Sequence, residues 1–201
     1  MNGLVLASGS PRRRELLAGL GIPFEIVPSE ADETLPRNEA FGEALKQVAL
    51  RKVSEVRGRL RQKPWILAAD TAVILNLAVF GKPRHRSEAA DMLRALSGQT
   101  HRVVTGVALA GPSFQEAFSV ETEVDFRFVS ELEIEWYTSL DEPYDKAGAY
   151  AIQGRGASMI KAIRGSYTNV VGLPLAETVT LLERAGLAPW SPPRPIGTCG
   201  A

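Results

Sequence analysis

The stretch from Trp65 to Leu75 is apolar or neutral over eleven residues except for one charged side chain, Asp70. Continuous apolarity over this length predicts a strand that is covered on both faces. A carboxylate inside such a strand is costly unless a metal, a cation, a hydroxyl or a reacting proton compensates for it. Asp70 is therefore either a structural carboxylate with hydroxyl partners such as Thr71 or a functional group in a cleft.

Short strands and amphipathic helices alternate along the rest of the chain. Strands are predicted at 4–7, 24–27, 103–110 and 120–128, and helices from Ser10 to Gly21, at 39–62, from Ser87 to Leu96, from Ser130 to Leu140 and at 174–185. Such interleaving predicts an α/β fold, which we interpret as one bilobed domain, residues 1–188, with its site in a central cleft. Residues 189–201 contain four prolines, and we expect an irregular tail there.

Composition excludes several classes of function. The 201 residues carry 23 Lys and Arg against 23 Asp and Glu, and this neutral balance argues against a nucleic-acid partner. The lone Cys199 suits a reducing compartment. The N-terminal apolar run is too short for a signal peptide, and no apolar run is long enough to span a bilayer. We therefore expect a cytoplasmic protein with no membrane partner.

A cluster of arginines opens the first predicted helix. Ser8 and Gly9 form a small-residue turn, and Arg12, Arg13 and Arg14 then occupy the first helical turn. Cations are disfavoured there by the helix dipole, whereas free backbone N–H groups at a helix start favour anions. Either a polyanion such as a phosphate chain neutralises the arginines, or they are solvated and pair with acids such as Glu15.

Lys52 is out of place on its helix, since it falls between Val48 and Val56 inside the apolar stripe. It either extends its ammonium outward or reaches a cleft.

Segments 81–84, 145–148 and 152–156 add polar groups beside glycines that allow close backbone approach. The chain has no Walker loop and no G-x-S-x-G turn, and its two histidines and one cysteine cannot build a usual zinc site. Of the chemistries considered, phosphate chemistry with a hard metal ion fits these residues best.

Seven segments together resemble the Maf family: LASGSPRR at 6–13, ADT at 69–71, GKP at 81–83, LSG at 96–98, DKAGAY at 145–150, IQG at 152–154 and VVGLPL at 170–175. The resemblance runs in order from about residue 4 to 187. It implies a nucleoside triphosphate pyrophosphatase that releases a nucleoside monophosphate and pyrophosphate. It also implies a mixed twisted sheet flanked by helices, similar to the inosine triphosphatase group, a divalent cation (Mg²⁺ or Mn²⁺) and a homodimer.

The residue patterns and the resemblance together give a hypothesis for the roles of nine side chains, and the resemblance supplies the three that select the base. Asp70 is expected to accept a proton from the attacking water or to hold a metal together with Glu33 of the acidic turn at 29–33. Ser8, Arg13, Lys52 and Lys82 are expected to bind the phosphates. Arg12, Thr71 and Gln153 are expected to select the base. These three match the family branch that acts on dTTP and UTP, whereas the 7-methyl-GTP branch has tryptophan, glutamine and glutamate there. Modified pyrimidine nucleotides are further candidate substrates.

The segment 76–80, Asn-Leu-Ala-Val-Phe, departs from the family, which usually has a polar Asp-Gly hairpin before Gly-Lys-Pro. Two other classes of function are alternatives. A nucleotide-binding regulator of cell division, which the family's association with septum inhibition implies, needs the cations but not Asp70. A nucleic-acid module needs a basic excess and an aromatic stacking platform, and the sequence has neither.

Overall fold

The computed structural model describes residues 3–36, 38–188 and 190, so the predicted tail at 189–201 lies outside the described residues apart from Trp190. The described strands are β1 (Leu4–Leu6), β2 (Phe24–Ile26), β3 (Trp65–Leu75), β4 (Ala78–Phe80), β5 (Thr100–Gly111), β6 (Phe114–Phe126) and β7 (Ile160–Arg164). The described α-helices are α1 (Pro11–Ala18), α2 (Phe41–Arg59), α3 (Arg86–Leu96), α4 (Glu131–Tyr137), α5 (Tyr167–Val171) and α6 (Leu175–Arg184).

One mixed sheet joins all seven described strands in the order β2-β1-β3-β5-β6-β7, with β4 paired to β3. β1 is parallel to β2 and to β3, and the other pairs are antiparallel. The strand predicted from the apolar stretch is the central strand β3, because β5 covers one of its edges and β1 and β4 meet the other. The predicted α/β class and the mixed sheet with flanking helices are confirmed.

The sheet has a gap beside the middle of β3. β5 pairs with β3 from Ile66 to Ile74 along one edge. On the other edge β1 pairs at Trp65–Leu67 and β4 pairs at Val73–Leu75. Within the described residues, the interval 68–72 on that edge therefore has no strand partner. Asp70 and Thr71 lie in this interval, so their side chains are next to an opening in the sheet.

Side chains of β3 alternate between two helical layers. Ile66 and Ala68 pack with α2 in one apolar cluster, whereas Leu67 and Ala69 pack in a second cluster with α1 and α6. α3 packs with Val73 on the face that α1 and α6 cover. By the same alternation Asp70 lies on the α2 face, and Thr71 lies on the opposite face.

Helix α2 packs very closely on the sheet, which sets the position of Lys52. A Cβ atom on Gly106 in β5 would lie 2.3 Å from the carbonyl carbon of Leu45 in α2, so only glycine permits this approach. Lys52, which the sequence left either extending outward or reaching a cleft, is 5% exposed. The helix therefore carries a buried ammonium toward the centre of the sheet.

Several predicted boundaries are wrong. The helix predicted from Ser87 begins at Arg86, and its cap is His85, whose side chain accepts a hydrogen bond from the Glu88 N–H. β6 ends at Phe126, and Phe128 is exposed because the chain has left the sheet. α4 has the predicted capping box at Ser130 but ends at Tyr137, three residues early. The short elements β4, β7 and α5 were not predicted.

No helix within residues 3–36, 38–188 and 190 has the length and apolarity that crossing a membrane requires.

Replacing Gly106 by alanine should destabilise the fold. The added methyl meets the backbone of α2 rather than a movable side chain, and overpacking of this kind costs about 1–3 kcal/mol. Gly58→Ala is the matched control, because Gly58 lies in α2 and a Cβ there meets nothing within 4 Å; alanine should add about 0.5–1 kcal/mol of helix stability. Urea unfolding of both variants measures the difference. Equal stabilities would contradict the packing of α2 on Gly106.

Candidate active site

A cavity of about 650 Å³ opens at the gap beside β3. All nine residues that the sequence singled out line it: Ser8, Arg12, Arg13, Glu33, Lys52, Asp70, Thr71, Lys82 and Gln153. They come from loops and elements spread over the chain, from the β1–α1 turn to the loop after Tyr150. The structure therefore brings the whole predicted set together, while the individual roles stay predictions.

Lys52 and two carboxylates form the centre of the cavity. The Lys52 Nζ lies 2.6 Å from Asp70 Oδ1 and 2.6 Å from Glu33 Oε1. The side chains of Lys52 and Asp70 are 6% and 16% exposed, so the ammonium reaches the cleft instead of extending to bulk solvent. Asp70 thus has a cation as its partner. Thr71, the alternative hydroxyl partner, instead contacts Arg13 and Thr105 on the other face of β3.

Glu33 is held in its ionised form. Partial burial raises the pKa of Glu33, but the hydrogen bond and charge of Lys52, with the charges of Lys82 and Arg13, bring that pKa below its ordinary value of 4.5. The acidic turn that carries Glu33 is tied to α2, because Arg51 donates hydrogen bonds to the Thr34 carbonyl and the Asp32 carboxylate. Helix α2 therefore supplies Lys52 and also anchors the turn that brings a second carboxylate to it.

Arg13 is fixed at three points on the opposite face of β3. Its Nε donates to the Gly172 carbonyl at 2.8 Å, and its two terminal nitrogens donate to Thr71 Oγ1 at 2.9 Å and Ser8 Oγ at 3.3 Å. Burial lowers the pKa of Arg13, although Asp70 and Glu33 raise it. An arginine remains protonated even so. Thr71 thus orients Arg13, and its predicted contribution to base selection stays a prediction.

Arg12 points to a different part of the cavity. One terminal nitrogen donates to Asp145 Oδ2 at 2.7 Å, and the other donates to the Asp145 main-chain carbonyl at 3.3 Å. The other carboxylate oxygen of Asp145 accepts a hydrogen bond from Lys146. Partial burial raises the pKa of Asp145, but the hydrogen bonds from Lys146 and Arg12 lower it below its ordinary value. Arg12 therefore pairs with a distant loop rather than with Glu15.

Gln153 lies on a loop that buried groups hold in place. Tyr150 is buried, and its hydroxyl lies 2.7 Å from Nε2 of His101. Burial lowers the pKa of His101 to about 4, although Asp125 raises it, so the imidazole is neutral at neutral pH. Next to Gln153, a Cβ on Gly154 would lie 2.7 Å from a carboxylate oxygen of Glu142. These contacts bring an otherwise exposed Gln153 to the cavity wall.

Lys82 is exposed on the loop after β4. Its charge reaches Glu33 across the cavity mouth and contributes to the low pKa of that carboxyl. The predicted set omitted Asp145 and Lys146, which also line the cavity. The sequence pointed to segment 145–148, whose polar groups stand beside Gly148, but gave neither side chain a role. Among the residues that the structure describes, the cavity lining holds five cations against three carboxylates, which suits a polyanionic ligand.

No group of three or more His, Cys, Asp or Glu side chains is placed to hold a metal ion in the described part of the chain. Glu33 and Asp70 nevertheless share the Lys52 ammonium, so their oxygens already surround a position that a cation occupies. Mg²⁺ is typically bound through one or two carboxylates together with substrate phosphates and water. The two carboxylates therefore fit a hard divalent cation that phosphate oxygens help to hold.

The fold and the cavity define an α/β protein with a cationic, carboxylate-bearing cleft for a phosphate-rich ligand. The chain belongs to the Maf family: the family described as "Maf-like protein" matches residues 3–185. This agrees with the resemblance that the seven sequence segments indicated.

Relatives match over nearly the whole chain. A protein of Myxococcus xanthus named dTTP/UTP pyrophosphatase is 53% identical over 188 residues, which cover 93% of this chain and 95% of that protein. A protein of Halalkalibacterium halodurans with the same name is 45% identical, over 94% of this chain and 98% of that protein. The chain is also similar to the crystal structure of a nucleoside-triphosphatase / dITP/XTP pyrophosphatase from Mycobacterium abscessus, with 18% identity, a TM-score of 0.46 and coverage of 90% and 94% of the two chains.

Lys52→Met should raise the pKa of Glu33, because the carboxylate loses a hydrogen bond and a neighbouring charge. In the wild type the lowered pKa means that ionised Glu33 stabilises the fold above its ordinary pKa, and that this stability is lost as the pH falls through the lowered value. The variant should therefore lose less stability on acidification. Carboxyl ¹³C NMR titration of Glu33 measures the pKa directly.

Lys46→Met is the control for this titration, since Lys46 lies on the same helix and pairs with Glu43 at 2.6 Å. It should leave the pKa of Glu33 unchanged. An unchanged value in Lys52→Met as well would mean that Lys52 does not hold Glu33.

Proposed function

We propose that the protein hydrolyses dTTP and UTP to the nucleoside monophosphate and pyrophosphate, by attack of water at the bond between the α- and β-phosphates. The observation that carries this proposal is the Lys52 ammonium shared by Asp70 and Glu33 in a cavity with a net excess of cations. The names of relatives at 43–53% identity support the same activity.

Asp70 acts as the general base. Its Oδ1 is held by Lys52, which fixes the orientation of the carboxylate, and its second oxygen takes the proton from the attacking water. Its position in the central strand β3 makes this carboxylate rigid. A rigid base is efficient because little reorganisation accompanies proton transfer.

Cations on both faces of β3 bind the phosphate chain. Arg13, fixed by Ser8, Thr71 and the Gly172 carbonyl, presents a preorganised guanidinium to phosphate oxygens. Lys52 and Lys82 add charge from α2 and from the loop after β4. Together they stabilise the negative charge that develops on the departing pyrophosphate.

Glu33 and Asp70 would hold Mg²⁺ or Mn²⁺ together with oxygens of the substrate. When bound, such an ion neutralises phosphate charge and lowers the pKa of a coordinated water. The low pKa of Glu33 keeps this carboxylate ionised and able to serve as a ligand at neutral pH.

Arg12, Thr71 and Gln153 select the base. The carboxamide of Gln153 offers both a donor and an acceptor, which matches a carbonyl and the N3–H of uracil or thymine. Modified pyrimidine nucleotides that keep this edge are substrates too.

We also propose that residues 1–188 carry this activity and that the protein works in the cytoplasm as a homodimer. The lone cysteine, Cys199, suits a reducing compartment, which supports the cytoplasmic location. The family resemblance supports the homodimer.

A nucleotide panel with the wild type and Asp70→Asn tests the function. The wild type, supplied with Mg²⁺ or Mn²⁺, should release pyrophosphate from dTTP and UTP faster than from CTP, dGTP or 7-methyl-GTP. Asp70→Asn should keep nucleotide binding and lose about two to four orders of magnitude in kcat, because the amide cannot accept the proton. Pyrophosphate release measures turnover, and calorimetry with UMP measures binding.

Asp91→Asn is the matched control, because Asp91 is an exposed aspartate on α3 that pairs with Arg94 outside the cavity. It should turn over like the wild type. Wild-type turnover in Asp70→Asn would remove Asp70 from the mechanism. Nucleotide binding without pyrophosphate release by the wild type would favour the regulator over the enzyme.

A further inference from the structure

Asp145 is the cavity residue whose place the proposed chemistry leaves unexplained, since a carboxylate repels a triphosphate. We propose that Asp145 is a positioning residue for substrate selection: it holds the Arg12 guanidinium in the orientation in which Arg12 contacts the pyrimidine base. This inference rests on the proposed function, because it concerns how that same cavity selects its substrate.

The contact joins two separate parts of the chain. Arg12 lies in the first turn of α1, and Asp145 lies 133 residues later, at the end of a single 3₁₀ turn, Glu142–Asp145. Both terminal nitrogens of Arg12 donate to Asp145, one to the carboxylate and one to the main-chain carbonyl. Two contacts to one planar guanidinium fix its plane as well as its position.

The geometry leaves Arg12 able to bind a ligand. Each terminal nitrogen of a guanidinium carries two N–H groups, and the contact with Asp145 uses one on each nitrogen. The remaining donors serve an acceptor in the cavity that Arg12 lines. A base carbonyl is such an acceptor, and a fixed donor meets it without losing further side-chain freedom.

The negative charge of Asp145 is neutralised locally, so it does not oppose the phosphate chain. Arg12 binds one carboxylate oxygen and Lys146 binds the other. The Lys146 ammonium also donates to the Glu142 carbonyl at 2.7 Å, which ties it to the same turn. Tyr144 fixes that turn further, because its hydroxyl donates to the Thr138 carbonyl at 2.6 Å. Asp145 is therefore a rigid, charge-balanced support for Arg12.

Overall stability does not explain the pair. The side chains of Arg12 and Asp145 are 23% and 54% exposed, and exposed ion pairs contribute little to folding. Their contact instead orients one donor at the cavity wall. Removing it should therefore change recognition of the base while the fold stays intact.

Steady-state kinetics of Asp145→Asn with dTTP, UTP and dGTP tests the proposal. KM for dTTP and UTP should rise about tenfold, since misplacing one positioned group by a fraction of an ångström has effects of this order. kcat should stay within about twofold, and dGTP turnover should change little. In the Arg12→Ala background, Asp145→Asn should have no further effect, because a residue that acts only through Arg12 needs Arg12. Asp145→Glu, which keeps the charge, should recover part of the loss.

Asp141→Asn is the matched control, since Asp141 lies in the same loop, makes no capping hydrogen bond and is not part of the cavity lining. It should behave as the wild type. Additive losses in the Arg12→Ala background, tighter nucleotide binding by Asp145→Asn, or an Asp145→Asn variant that no longer folds would each overturn the proposal.

Binding of UMP separates this inference from the proposed function. UMP affinity should fall in Asp145→Asn by the same factor as KM rises, and calorimetry measures it without any hydrolysis. A wild type that binds UMP but releases no pyrophosphate would rule out the proposed hydrolysis. The UMP affinities of the wild type and Asp145→Asn would still test the role of Asp145. Equal UMP affinity in the wild type and Asp145→Asn would rule out the proposed role of Asp145, even if the enzyme is active.

Discussion

The Nζ atom of Lys52 lies 2.6 Å from a carboxylate oxygen of Asp70 and 2.6 Å from one of Glu33. The largely buried Lys52 and Asp70 would each be unfavourable without a partner of opposite charge, whereas the more exposed Glu33 adds a second negative charge at the cavity. Lys52 interrupts the apolar stripe of α2, and Asp70 interrupts the apolar run of β3. Removing one partner of a buried ion pair costs about 3–5 kcal/mol, because it leaves an uncompensated charge in the protein. This charge balance therefore constrains α2, β3 and the acidic turn to meet at one point.

The gap in the sheet makes this charge cluster accessible to a ligand, because the cavity opens there. β1 and β4 pair with the two ends of the same edge of β3, and no strand in the described part of the chain pairs with the interval between them. Consecutive residues of a strand face opposite sides, so Asp70 reaches Lys52 on one face while Thr71 reaches Arg13 on the other. A ligand in the gap thus meets a carboxylate–lysine centre on one side and a fixed guanidinium on the other. The Arg12–Asp145 contact forms a third wall of the same cavity.

Local patterns predicted the parts of this arrangement that depend on neighbouring residues. The periodicity of α2 identified Lys52, and the apolar run of β3 identified Asp70. The acidic turn at 29–33 drew attention to Glu33, and the family resemblance gave Gln153, in a segment noted only for polar groups beside glycines, its role at the base. The cap at His85, the short strands β4 and β7 and the pairing of Arg12 with Asp145 could not be predicted in this way. The cap depends on the geometry of the His85 side chain, and each short strand depends on pairing with a partner strand. The contact between Arg12 and Asp145 joins residues more than a hundred positions apart.

In the proposed reaction, water attacks the α-phosphorus of a pyrimidine nucleoside triphosphate in this cavity. Hydrolysis of dTTP in H₂¹⁸O, followed by mass spectrometry of the products, tests it most directly. The expected products are thymidine monophosphate that carries one ¹⁸O atom and unlabelled pyrophosphate. Thymidine diphosphate with labelled inorganic phosphate, or label in the pyrophosphate, would contradict it.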